Sequence, residues 1–146
     1  MPDGVDNIME LRFPSLAENV GMARVAVAAF ASQLGFTVPE VEELRVAVSE
    51  AVSNAVIHAY PDEPGWVEVT CKLREGTLLV TVRDYGCGIE DVEAARRPAY
   101  SSDPERMGLG FAFMDSFMDS VEVESQVGKG TTVRMTKRPK REPIRV

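Results

Sequence analysis

The chain has 146 residues, of which 45% are hydrophobic and 27% are charged, and its formal net charge is −7. This composition is typical of a folded globular domain and argues against intrinsic disorder. An acidic chain disfavours non-specific DNA binding, which needs a cationic surface, and no apolar run approaches the roughly 20 residues of a membrane span. We therefore expect one domain over residues 1–146 that neither binds DNA directly nor crosses a membrane.

The cysteine content and the first residues bear on the cellular compartment. Cys71 and Cys87 are the two cysteines of the chain, and His58 is its one histidine. Two cysteines 16 residues apart and one histidine are too few and too widely spaced to favour a disulfide framework or a zinc site. The first ten residues include three acidic residues and no Lys or Arg, unlike a signal peptide. We expect a cytoplasmic protein.

The first part of the chain predicts a strand followed by a helix. Apolar and polar residues alternate over residues 9–13, which is typical of a strand. Ser15 and Glu18 fit the S-x-x-E capping box that opens a helix, and Gly35 is a suitable residue to end it. The apolar residues at helical spacing are Ala23, Val27, Phe30 and Leu34.

A second, longer helix is predicted to follow. Thr37 and Glu40 fit another capping box, and Pro39 is tolerated in a first turn. Tyr60 precedes a proline and marks the end of this helix. Its predicted buried stripe consists of Val41, Leu44, Val48, Val52, Ala55 and Val56.

Strands joined by hairpins are predicted next. Residues 67–73 and 78–82 alternate with a period of two on either side of a Glu-Gly turn. Residues 121–123 and 133–135 flank a Gly-Lys-Gly turn in the same way. This order of elements predicts an α+β two-layer sandwich, with a mostly antiparallel mixed sheet covered by helices on one face.

A long loop separates the two hairpins. It runs from Tyr85 to Met107, is rich in glycines, prolines and charges, and is predicted to contain one short helix at about residues 89–96. A loop of this length in a compact domain is usually functional. A helix over residues 109–117 follows, and the basic tail over residues 138–146 is expected to fray.

Glu50 and Asn54 lie one turn apart on the second predicted helix, on a stripe shared with Glu43 and Ala47. An Asn amide oxygen can ligate Mg²⁺, and a Glu carboxylate can accept a proton or orient a nucleophile. Taken alone, such a pair is more often part of a solvated helix face.

Two glycine-containing runs bound the long loop. Residues 84–88 (DYGCG) follow a strand, so Asp84 could accept a hydrogen bond from an amino group such as that of adenine. Residues 108–110 (GLG) open a helix, whose free N–H groups attract phosphate oxygens, and Arg106 adds a cation beside them. Each run alone is also typical of an ordinary turn or loop.

A fourth run, residues 128–132 (GKGTT), enters the last strand and by itself is typical of a hairpin turn. In their order and context, the four runs together resemble the GHKL family of ATP-binding domains. Residues 49–54 (SEAVSN) resemble its N box, residues 84–88 its G1 box and residues 108–110 its G2 box. The resemblance implies the Bergerat ATP-binding fold and bound ATP or ADP.

Longer segments resemble one branch of that family, the anti-sigma F factors of spore-forming bacteria. They are residues 23–30, 48–60 and 117–125, and the resemblance extends over about residues 9–137. It implies a homodimeric serine/threonine protein kinase that acts during sporulation. Such a protein binds sigma F, blocks its use by RNA polymerase, and phosphorylates a serine of the anti-anti-sigma factor with Mg-ATP.

The resemblance also implies roles for single residues. Asn54 would ligate Mg²⁺, and Glu50 would act as the base or orient the substrate hydroxyl. Asp84 would bind the adenine, and Arg24 would contact both protein partners. The remaining nucleotide-binding residues that it implies are Gly86, Gly88, Arg106, Gly108, Gly110 and Thr131.

Other functions stay open on the sequence alone. The boxes are shared with the anti-sigma kinase of the general stress sigma factor, so they do not name the sigma partner. Two further classes are a nucleotide-dependent binding switch with little kinase turnover, which Glu50 disfavours, and an ATP-binding domain detached from a larger ATPase, which Arg24 disfavours. A phosphate-accepting His58, as in a histidine kinase, is disfavoured because it lies at the end of the N-box helix.

Overall fold

The computed structural model describes residues 4–97 and 107–140. Over these ranges the chain forms five strands and four α-helices, with a 3₁₀ turn after the first helix and a π-helical turn, Ala55–Ala59, after the second. The elements are β1 (Asn7–Pro14), α1 (Glu18–Ala31), α2 (Val38–Asn54), β2 (Trp66–Arg74), β3 (Thr77–Asp84), α3 (Val92–Arg96), α4 (Met107–Phe117), β4 (Ser120–Gln126) and β5 (Gly130–Lys137).

The five strands form one sheet in the order β1-β2-β3-β5-β4. All four pairings are antiparallel, so the sheet lacks the parallel component of the mixed sheet expected from the sequence. The last strand, β5, lies between β3 and β4, which pairs Asp84 at the end of β3 with Thr131 near the start of β5. The predicted α+β two-layer sandwich is otherwise confirmed.

The core lies between the helices and one face of the sheet, and α2 packs against both α1 and α4. Alternate residues of β2 and β3 are buried, as the period of two predicts for strands covered on one face. The predicted stripe of α2 is buried except at Val41 and Val56, which are half-buried. Large side chains that are fully buried include Leu44, Val48, Val52, Val67, Val69, Leu78, Val80, Phe111, Met114 and Met135.

The two predicted capping boxes have different outcomes. At α2, Thr37 Oγ1 accepts from Glu40 N (3.3 Å) and Glu40 Oε1 accepts from Thr37 N (2.8 Å), which confirms the prediction. At α1 the prediction is wrong, since Ala17 is the N-cap and supplies no side-chain bond. Ser15 instead forms two hydrogen bonds with Gly65. The backbone N–H of Ser15 donates to Gly65 O, and the Ser15 hydroxyl accepts from Gly65 N, so the β1–β2 pairing continues past the end of β1.

The first residues of the predicted basic tail contact the domain. Glu40 Oε2 accepts from Lys140 N (2.8 Å), and Asp119 Oδ2 accepts from Arg138 N (2.8 Å). Residues 141–146 of that tail lie outside the described residues. Within residues 4–97 and 107–140, no helix has the length and apolarity that a bilayer crossing requires.

Candidate functional site

A cleft opens where β3 ends. It lies between α2 with its π-helical turn, the strands β3 and β5, the loop after β3, and α4. Four predicted site residues line it, namely Asn54, Asp84, Gly88 and Thr131. Apolar walls with a few polar groups suit a flat heteroaromatic ring. The apolar lining residues are Ala51, Ala55, Ala59, Val82, Ile89, Phe111 and Val133.

Asp84, the last residue of β3, is only 7% exposed. Its Oδ1 accepts from Gly86 N (3.0 Å) and from Thr131 N (3.2 Å), and burial nevertheless raises its pKa. Among the described residues, both hydrogen bonds to this carboxylate reach the same oxygen. The second oxygen can therefore accept a hydrogen bond from a ligand in the cleft.

The glycines of the DYGCG run allow its close packing against other backbone segments. A Cβ on Gly86 would lie 2.1 Å from Ala59 O, and one on Gly88 would lie 2.3 Å from Gln126 O. Cys87 N donates to Ala59 O (2.8 Å), which joins the run to the π-helical turn. The two glycines thus shape the cleft by letting the loop fit between α2 and the β4–β5 hairpin.

The side chains of Glu50 and Asn54 converge on Gly110 of α4. A Cβ on Gly110 would lie 2.9 Å from Glu50 Oε2 and 3.6 Å from both Oδ1 and Nδ2 of Asn54. Within the described part of the chain, the buried Asn54 Nδ2 has no hydrogen-bond partner, which is uncommon for a buried polar atom. Because Mg²⁺ prefers amide and carboxylate oxygens, this pair fits a metal-bound nucleotide. Burial also raises the pKa of Glu50.

The helix α4 begins at Met107, so Gly108 and Gly110 lie in its first turn. A Cβ on Gly108 would lie 1.8 Å from Arg97 O, so only glycine allows the start of α4 to approach the segment after α3. The short helix predicted at about residues 89–96 is present as α3, capped by Asp91, whose carboxylate accepts from Ala94 N (3.1 Å). Arg106 and residues 98–105 of the loop lie outside the described residues.

Arg24 is exposed on α1 and lines a groove between α1 and α2. The same groove is lined by Arg45 and Ser49 and reaches Glu50. Glu50 therefore borders this groove and also lies beside Asn54, which lines the cleft. A protein bound over Arg24 could place one of its side chains at Glu50.

Sequence reasoning missed two residues that organise the site. Ser125 Oγ lies 2.8 Å from Thr131 Oγ1, and Tyr60 Oη both accepts from Tyr85 N (2.7 Å) and donates to Trp66 O (2.5 Å). Counting strand register from the Gly-Lys-Gly turn places Ser125 opposite Thr131 and could have identified it. The Tyr-Pro pattern identified Tyr60 only as a helix end, and no pattern indicates its role in the site, because its partners lie beside the ends of two different strands.

Similar sequences are found along nearly the whole chain. Residues 13–137 match the family model of the histidine kinase-like ATPase domain. The chain is 46% identical over 136 residues to the anti-sigma F factor of Clostridium acetobutylicum, covering 92% of this chain and 95% of that protein. It is 49% identical over 134 residues to the anti-sigma F factor of Oceanobacillus iheyensis, covering 90% and 92% respectively.

Solved structures share the fold at low identity. The RsbU and RsbW domains of a Mycobacterium tuberculosis protein match with a TM-score of 0.66 at 20% identity, over 92% of this chain and 33% of that one. The histidine kinase domain of a blue-light activated histidine kinase from Erythrobacter litoralis matches with a TM-score of 0.55 at 21% identity, over 82% of this chain and 60% of that one. These two likenesses concern the fold alone. On its sequence matches, its sheet and its cleft, the chain belongs to the anti-sigma F factor family and contains a histidine kinase-like ATPase domain.

Proposed function

We propose that this chain is an anti-sigma factor and a serine protein kinase. It binds sigma F, blocks its transcriptional activity, and phosphorylates a serine of the anti-anti-sigma factor with Mg-ATP during sporulation. The observation that carries the proposal is the position of Glu50, which borders the groove of Arg24 and lies beside the cleft-lining Asn54. The protein acts on sigma F and the anti-anti-sigma factor in the cytoplasm, and it does so as a homodimer.

The cleft supports the nucleotide part of this proposal. The Asp84 carboxylate accepts a hydrogen bond from the adenine amino group, and the apolar walls contact the ring. Asn54 would ligate Mg²⁺, which would neutralise negative charge on the phosphates. The first N–H groups of α4, which include those of Gly108 and Gly110, carry partial positive charge and attract the phosphate oxygens.

Glu50 supports the transfer part of the proposal. Phosphoryl transfer depends on positioning and charge neutralisation more than on covalent catalysis. The serine oxygen bonds to the γ-phosphorus while the bond from that phosphorus to the bridging β-oxygen breaks, and ADP leaves. The serine proton passes to the Glu50 carboxylate, whose raised pKa makes it a stronger base than an exposed glutamate.

The test combines transfer and capture. The full chain is incubated with γ-labelled Mg-ATP and the anti-anti-sigma factor, and the expected result is label on a serine of that partner. Surface capture of sigma F, compared with the general stress sigma factor, is expected to favour sigma F, because relatives of nearly half identity are named anti-sigma F factors. Tight sigma binding without label transfer would instead support the nucleotide-dependent binding switch.

A further inference from the structure

The hydroxyl of Ser125 on β4 is a junction beside the cleft. It accepts from Ile89 N (2.7 Å), lies 2.8 Å from Thr131 Oγ1, and donates to Gly130 O (3.2 Å). Ser125 and Thr131 are directly opposite each other in the β4–β5 register. One side chain thereby joins the loop after the DYGCG run, the first residue of β5 and a residue that lines the cleft.

The number of protons in this junction determines the direction of the Ser–Thr bond. A serine hydroxyl has one proton to donate and two lone pairs that accept. The carbonyl of Gly130 can only accept, so it receives the Ser125 proton, and the backbone N–H of Ile89 can only donate, so it occupies one lone pair. The remaining lone pair faces Thr131, whose hydroxyl is therefore the donor of that bond.

This direction decides what Thr131 presents to a ligand. With its proton on Ser125, Thr131 Oγ1 offers lone pairs to the cleft that the residue lines. The carboxylate of Asp84, bonded to the backbone N–H of the same Thr131 (3.2 Å), offers lone pairs as well. Two neighbouring acceptors match an amino group and oppose a carbonyl oxygen, because a carbonyl offers no proton to either.

We propose that Ser125 is a positioning residue that sets base specificity. By accepting the Thr131 proton, it leaves two acceptors facing the base and selects a purine with a 6-amino group over one with a 6-oxo group. The inference requires that the cleft binds a nucleotide, but it is independent of phosphoryl transfer and of the sigma partner.

The test compares ADP with IDP, which carries an oxygen in place of the 6-amino group, by calorimetry on the full chain with Mg²⁺. The wild-type chain is expected to prefer ADP by about 100-fold or more, because the edge of a 6-oxo purine has a single donor, its N1–H, and leaves at least one of the two acceptors unpaired. In Ser125→Ala the Thr131 hydroxyl is released to donate to the oxo group, so the ratio is expected to fall about tenfold or more. Ser125→Thr keeps a hydroxyl and is expected to restore the ratio.

The strand pair supplies a matched control. Ser120 and Thr136 form the same kind of hydroxyl pair at the far end of β4 and β5, so Ser120→Ala is expected to keep the wild-type ratio. Thr131→Val removes one acceptor, together with the proton that Ser125 accepts, and is expected to lower ADP affinity while IDP affinity changes little.

Two results would overturn the inference. The first is an ADP to IDP ratio that stays at the wild-type value in folded Ser125→Ala, or in Thr131→Val if the alanine variant does not fold. The second is a wild-type chain that binds neither nucleotide, which would also remove the nucleotide site. A chain that prefers ADP as expected but transfers no phosphate would support the inference and contradict only the proposed kinase activity.

Discussion

Among single residues, Asp84 has an ionisable carboxyl in a buried position, and burial raises its pKa more than its two backbone hydrogen bonds lower it. A raised pKa in the folded state means that folding favours the protonated form. The stability that this carboxyl contributes is therefore fully present below its ordinary pKa of 3.8 and is lost as pH rises through the raised value. At neutral pH the ionised Asp84 therefore weakens the fold, a cost that its proposed hydrogen bond to the ligand would explain.

The variant Asp84→Asn is expected to separate stability from binding. Its amide oxygen can still accept from Gly86 N and Thr131 N, and the buried charge is gone. At pH 7 the unfolding midpoint is expected to rise by a few degrees, since about 1 kcal/mol moves it by roughly 2–4 °C at this size. The gain is expected to shrink near pH 4, and ADP affinity is expected to fall about tenfold or more. Thermal unfolding at both pH values and calorimetry measure these effects, and a lower midpoint at pH 7 would contradict the assignment.

Asn54→Ala is expected to abolish metal-dependent nucleotide binding. Mg²⁺ requires near-ideal octahedral coordination and would lose its protein ligand. Calorimetry of ADP with Mg²⁺ and with a chelator distinguishes the metal-dependent part, and the chelated wild-type chain is the control. Unchanged Mg-ADP affinity in the variant would count against the role of Asn54.

Glu50→Gln is expected to separate catalysis from binding. Glutamine keeps the shape and hydrogen-bonding capacity of the side chain but cannot accept the serine proton. The phosphorylation rate is expected to fall by roughly 10²–10⁴-fold while nucleotide affinity changes little. Single-turnover transfer from labelled ATP measures the rate, and near-normal turnover would assign Glu50 a structural role only.

At the scale of elements, the sequence predicts most of the fold because local patterns and tertiary packing agree there. The capping box at Thr37 is satisfied, and the period of two in β2 matches its burial. The capping box at Ser15 fails because the hydroxyl has a competing partner, Gly65, which is 50 residues distant in the sequence. Side chains whose partners come from another element are the ones that local patterns cannot identify.

The two glycines in the first turn of α4 are expected to differ in their response to alanine. In Gly110→Ala the added Cβ meets the mobile end of Glu50 at 2.9 Å, so the helix persists, and alanine favours it by up to about 1 kcal/mol. The displaced carboxylate is expected to slow phosphoryl transfer by about 10²-fold. In Gly108→Ala the Cβ would lie 1.8 Å from a backbone oxygen, so a lower unfolding midpoint is expected. Equal midpoints for the two variants would refute this distinction.

At the scale of the whole molecule, the groove between α1 and α2 brings Arg24 and Glu50 to one surface. The four runs that resemble the family's ATP-binding boxes could be recognised in the sequence because each is short and contiguous. The shared groove could not, since it depends on how α1 packs across α2, and no pattern within either helix records that geometry.

Arg24→Ala is expected to weaken binding of sigma F and of the anti-anti-sigma factor by about 2 kcal/mol or more, the usual threshold of an interface hot spot. ADP affinity and folding are expected to stay unchanged, because Arg24 is exposed and outside the cleft. Surface capture measures partner affinity and calorimetry measures ADP affinity. Arg134→Ala, on the uncovered face of the sheet, is the matched arginine control. Wild-type affinity for both partners would remove Arg24 from the interface, and a parallel loss of ADP binding would place it in the fold.

The position of β5 has a consequence for how the protein is made. Of the five described strands it is the last to leave the ribosome, yet it lies inside the sheet, between β3 and β4. Until it emerges, β4 lacks its partner among the described strands. Asp84 likewise lacks the hydrogen bond from Thr131 N, which lies 47 residues later in the chain. Such distant pairing is slow to form. A ligand that needs both Asp84 and Thr131 can therefore bind only after β5 has been translated, and it cannot guide the earlier stages of folding.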